Sequence, residues 1–131
     1  MRTRITALVI ATALLAWSGI AQADATQMWK CEMDDDATEE AVTEGARNWL
    51  KAARGMAGGE QLKAYVYFPV AVNATGETDL MFIVVAPSFQ EWGKFWDGYT
   101  GSPAEKVDIQ NQEFVVCPDS VVWESLEVKV K

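Results

Sequence analysis

Cys31 and Cys117 are the only thiols of this chain, and it contains no histidine. The missing imidazole excludes Ser-His-Asp and Cys-His nucleophile systems, histidine-ligated zinc and histidine-ligated haem. Carboxylates, glycines and aromatics are left to carry any chemistry. Asp34-Asp35-Asp36 offers hard oxygen ligands, but a calcium loop needs them at spaced positions. Three consecutive acids suit the start of a helix better. Glu91 and Asp97 stand near aromatic residues, yet six positions apart on a helix they fall on different faces and cannot act as an acid–base pair. Gly55-Met56-Ala57-Gly58-Gly59 follows a helical pattern instead of opening one, so it reads as a cap and connector, not a phosphate loop. These residues assign no catalytic group, no metal site and no cofactor.

The aromatics are more informative. Trp29, Trp49, Trp92 and Trp96 each sit on an apolar stripe and read as core residues. Tyr65, Tyr67 and Trp123 fall on the strand faces opposite the most apolar ones. Together with Met81, Ile83 and Val85 they predict a second apolar face, too large to be left wet. A second subunit covers such a face, or it lines a pocket. Tyr65, Tyr67, Met81, Ile83 and Trp123 are therefore the candidate ligand or dimer residues. Trp92, Trp96 and Asn73 are the candidates for an alternative pocket.

These residues must be positioned by a short list of elements. Met28–Met33 alternates with period two and predicts a strand; Asp24 to Gln27 before it reads as a loose terminus. Asp36 with Glu39 resembles a capping box for a helix carrying Val42, Ala46, Trp49, Leu50, Ala53 and Met56 on one side. Leu62–Val72 predicts a second strand, with Pro69 placing it at an edge or a bend. Asn73–Asp79 is turn-rich, and its Asn73-Ala74-Thr75 sequon reads as part of that turn. Leu80–Ala86 is apolar on both faces, as a strand covered on both sides would be. Ser88 and Glu91 form a second capping box, followed by the stripe Phe89, Trp92, Phe95, Trp96 and Tyr99. Gly101-Ser102-Pro103 marks its end. A polar connection then leads to Glu113–Cys117, a break at Pro118-Asp119, and an alternating run over Val121–Val130 with Leu126, Val128 and Val130 on the core side.

Arg2 and Arg4, the uncharged apolar run Ile5–Ile20 and the small-x-small motif Ala21-Gln22-Ala23 have the form of a bacterial signal peptide. The expected domains are thus a signal at 1–23 and one α+β domain at 24–131, periplasmic or secreted. The full chain carries a net charge of −8, with 19 acidic residues. Removal of Arg2 and Arg4 leaves about −10 on the mature part, a surface that repels phosphate backbones and anionic lipid headgroups. Neither nucleic acid nor membrane is an expected partner of the mature domain. In an oxidising compartment two cysteines are expected to pair. The enclosed loop is long, and its closure entropy is worth roughly 4–5 kcal/mol.

The order β-α-β-β-α-β resembles the split β-α-β, ferredoxin-like pattern. The second helix, with its capped start at Ser88 and its aromatic stripe to Tyr99, resembles that of the dimeric α+β barrel superfamily. The resemblance implies an antiparallel sheet in the order 4-1-3-2 with two helices on one face. It puts Cys31 and Cys117 on neighbouring strands, with Cα atoms within about 7 Å. It also implies a homodimer joined sheet to sheet. Two functions are compatible with it: a non-catalytic dimeric module that holds a small apolar or aromatic ligand, or a cofactor-independent monooxygenase-like enzyme using Tyr65, Tyr67, Trp92, Trp96 and Asn73. A fold-level resemblance licenses no activity by itself.

Overall fold

The computed structural model of the protein describes residues 23–70 and 79–130. Asn73 and most of the signal segment lie outside them. The elements are β1 (Asp24–Met33), α1 (Glu39–Ala53), β2 (Lys63–Tyr67), β3 (Leu80–Ala86), α2 (Phe89–Asp97), α3 (Pro103–Asn111) and β4 (Val115–Ser125). The strands form one antiparallel sheet in the order β2-β3-β1-β4. This is the anticipated order, with one helix more than anticipated.

Alternation decides what each face of the sheet presents. Ala25, Gln27, Trp29 and Cys31 of β1 pair with Ala86, Val84, Phe82 and Leu80 of β3, and this set turns towards the helices. β1 begins four residues earlier than its alternation predicts. Asp24 to Gln27 belongs to the strand, and Ala25 is fully buried. Trp49 of α1 and Phe95 of α2 close the core over this face, meeting edge to face at 5.8 Å between ring centroids.

Each helix starts on a side-chain oxygen. Thr38, not Asp36, caps α1: its Oγ1 accepts from the Ala41 amide at 3.1 Å, while Asp34 Oδ1 accepts from the Asp36 amide in the turn before it. Ser88 Oγ accepts from the Glu91 amide at 3.1 Å, but the Glu91 carboxylate pairs with Lys94 and leaves the capping box half made. The Gly101–Gln112 connection contains α3. Ser102 Oγ accepts from the Glu105 amide, Pro103 occupies the first turn, and the Glu105 carboxylate reaches back to the Gly101 amide. Gly45 lets α3 lie against α1, since a Cβ there would stand 2.7 Å from Asn111 Oδ1.

The C-terminal strand departs most from expectation. β4 runs unbroken from Val115 to Ser125, with Pro118-Asp119 absorbed as an irregularity between the pairs Glu32↔Val116 and Lys30↔Asp119. Leu126, Val128 and Val130 lie beyond it and are exposed, so their alternation does not mark a core-facing strand. β2 is likewise shorter than the alternation predicts, ending at Tyr67. Cys31 and Cys117 are bonded across the β1–β4 irregularity, with Cα atoms 4.0 Å apart. Among the described residues no helix is long and apolar enough to cross a membrane.

Candidate functional site

The sequence-predicted aromatics divide between the two faces of the sheet. The register pairs Tyr65 with Ile83, Tyr67 with Met81, Ile83 with Met28, and Thr26 with both Val85 and Trp123. Tyr65, Tyr67, Met81, Ile83 and Trp123 therefore share the face that carries no helix. Tyr65 is 44% exposed, Tyr67 54% and Trp123 54%, whereas Ile83 at their centre is 4% exposed. α3 packs against α1 on the opposite side, so it does not fold over this face.

Trp92 and Trp96 belong to the helix side. Trp92 Nε1 donates to Gln27 Oε1 at 3.0 Å, and the Trp96 ring lies 5.9 Å from Trp29. The set Tyr65, Tyr67, Trp92 and Trp96 is thus split by the sheet and cannot meet one substrate. Its fifth member, Asn73, lies outside the described residues.

Between the sheet and the pair α1–α3 lies a cavity of about 250 Å³. Trp29, Cys31, Leu80, Phe82 and Cys117 form its floor, while Val42, Ala46 and Trp49 wall it from α1. α3 and its C-cap contribute the polar part, Asp108, Asn111 and Gln112. An adjoining recess of about 170 Å³ shares Trp29, Trp49, Phe82, Asp108 and Cys117 and adds Trp96 and Tyr99. Its walls are largely indole and phenyl rings, and the disulfide is part of its lining.

The polar groups in this cavity are linked. Trp49 Nε1 donates to Tyr99 Oη at 3.1 Å. The Tyr99 hydroxyl stands beside the Asp108 carboxylate and stabilises its charge. Burial nonetheless pushes the Asp108 carboxyl above its ordinary value, and Glu105 adds to that. Burial also pushes the Tyr99 hydroxyl well up, so the phenol stays protonated. The Trp96 indole N–H is buried with no hydrogen-bond partner. Ion pairs among the described residues join Arg47 to Glu44, Lys94 to Glu91 and Lys129 to Glu127; none reaches Asp108.

Sequence reasoning missed Asp108, Asn111 and Gln112. Ala104, Val107, Asp108 and Asn111 recur at helical spacing after a Ser-x-x-Glu cap with proline in the first turn, and that signal could have found them.

No protein-family pattern matches this chain, and no curated protein sequence is similar to it. Solved structures do resemble it. A dimeric ferredoxin-like protein of unknown function from Thermobifida fusca superposes with a TM-score of 0.50 at 11% identity, over 78% of this chain and 89% of that one. An Arabidopsis thaliana protein superposes at 0.53 with 11% identity, over 83% of this chain and 98% of the other. A chlorite-dismutase-like protein gives 0.53 at 7% identity; the match takes in 82% of this chain but only 45% of that one. At such identities the likeness is one of fold alone. With its strand order, its antiparallel sheet and its helices on one side, this chain has the ferredoxin-like fold.

Proposed function

We propose that this chain is an exported, homodimeric binding module that pairs through its open sheet face and receives a small, mostly apolar ligand between its sheet and α1–α3. The cavity carries this reading. It is walled by aliphatic side chains with Trp29, Trp49 and Phe82, its adjoining recess is walled mainly by aromatic rings, and its few polar groups converge from α3 and its C-cap. Its volume is about that of eight liquid waters, which admits an occupant on the order of ten non-hydrogen atoms. The dimer is supported by the apolar open face and by the description of the Thermobifida fusca structure as dimeric. Export is supported by the signal-like segment 1–23 and by the disulfide.

Of the residues named for the monooxygenase-like alternative, the sheet separates Tyr65 and Tyr67 from Trp92 and Trp96. Three tryptophans line the cavity and its recess, so binding will register in intrinsic fluorescence. Titration with 2-phenylethanol, excited where the probe does not absorb, is expected to give a saturable change. Ala46→Phe, which fills the cavity from α1, should abolish it. A wild-type protein with no saturable change would show that the cavity holds no such ligand.

A further inference from the structure

We propose that the occupant of this cavity is a small protonated amine carried on an apolar or aromatic body, with its ammonium held by Asp108 and the surrounding aromatic wall. The inference rests on the ligand-binding reading above and names the class of ligand.

Three independent features of the molecule point the same way. The first is chemical. Among the described residues Asp108 is the one ionisable carboxylate lining the cavity and its recess, and no lysine or arginine among them lines either. A carboxylate held partly out of water without a cation is costly, and the cost is offset when an opposite charge enters beside it. The Tyr99 hydroxyl beside the carboxylate stabilises its charge, and its oxygen accepts from Trp49 Nε1 at 3.1 Å. Neither neighbour supplies a positive charge to Asp108.

The second feature is the wall. Trp29, Trp49, Trp96, Phe82 and Tyr99 surround the recess that Asp108 borders. A cation against such rings gains electrostatic attraction from their π faces, most of all from tryptophan, and gains more when water is excluded. A carboxylate with several aromatic rings is the combination that distinguishes an ammonium from a neutral isostere. The same rings accept the apolar remainder of the ligand.

The third is long-ranged. The chain carries a net charge of −8. Its field draws small cations towards the domain and repels small anions. A carboxylate-bearing ligand of the same size would meet this field and then Asp108 itself.

Calorimetry with three probes of matched shape tests the class: 2-phenylethylamine, 2-phenylethanol and 3-phenylpropanoate, each with the disulfide-bonded protein at physiological ionic strength. The amine is expected to bind at least about tenfold more tightly than the alcohol, and the acid not at all. Asp108→Asn should bring the amine down to the level of the alcohol while the alcohol itself still binds. Equal binding of amine and alcohol by the wild type would overturn the ammonium assignment and leave the apolar site standing. Amine binding that survives Asp108→Asn or Ala46→Phe unchanged would show that the acidic surface holds the cation, and would also overturn it. If none of the three probes binds, both the class and the site fall. The wild-type comparison stands alone should either variant fail to fold.

Discussion

Asp108 pays a stability cost that its surroundings only partly relieve. Desolvation raises its carboxyl above the ordinary value of 3.8, the Tyr99 hydroxyl opposes the shift, and Glu105 reinforces it. A folded carboxyl that holds its proton more tightly than the unfolded one penalises the folded state at any pH above the raised value, and the penalty vanishes below 3.8. Asp108→Asn is therefore expected to raise Tm at neutral pH, with the gain shrinking as pH falls through the raised value. Thermal melts of the two proteins from neutral pH downwards check this; a variant less stable at neutral pH would show that the carboxylate serves the fold. Asp108 was hard to read in the sequence because its segment is polar and has no continuous apolar stripe. Asp34-Asp35-Asp36 and the Glu91/Asp97 pair were visible there as carboxylates, yet they stand outside the cavity lining. A burial-dependent role is decided by what packs around a residue, and one-dimensional spacing carries little of that.

At the scale of elements, periodicity read well wherever one face of a helix or strand meets the core. β1, β3, α1 and α2 show their inward residues directly in the sequence, and Trp123 was assigned its side of β4 correctly. It read poorly where an element meets another only at its edge. α3 touches α1 through small and polar residues, Gly45 against Asn111, so its inward stripe is not hydrophobic. The alternation of Leu126, Val128 and Val130 is that of a strand, but no strand pairs with it among the described residues. Pairing of Cys31 with Cys117 fastens β4 to β1 at the place where their register breaks. Cys31→Ala/Cys117→Ala is expected to lose roughly 2–5 kcal/mol of stability. Because both cysteines line the cavity, the variant should also bind 2-phenylethanol more weakly. Urea denaturation followed by tryptophan fluorescence measures the first effect; a loss well below 1 kcal/mol would mean that the bridge constrains little.

At the scale of the whole molecule, the described residues form one sheet with two different faces. Helices cover one and leave the cavity lined by Trp29, Trp49 and Asp108 there. The other carries Tyr65, Tyr67, Met81, Ile83 and Trp123, and no described segment of the chain covers it. This asymmetry was legible from β3 alone, whose residues are apolar on both sides although the chain has helices enough for one. A cover from within the chain would have to come from the polar Gly101–Gln112 segment, and as α3 it lies on the far side of the sheet, against α1. Two copies joined across their open faces would bury on the order of 800 Å² each, a standard interface with Ile83 near its centre. Sedimentation equilibrium at micromolar concentration, on the wild type and on Ile83→Lys, measures this directly. The wild type is expected to sediment as a dimer, and Ile83→Lys as a folded monomer or misfolded protein, because the charge would enter a dry contact. A wild type that sediments as a stable, folded monomer with its open face wet would contradict it.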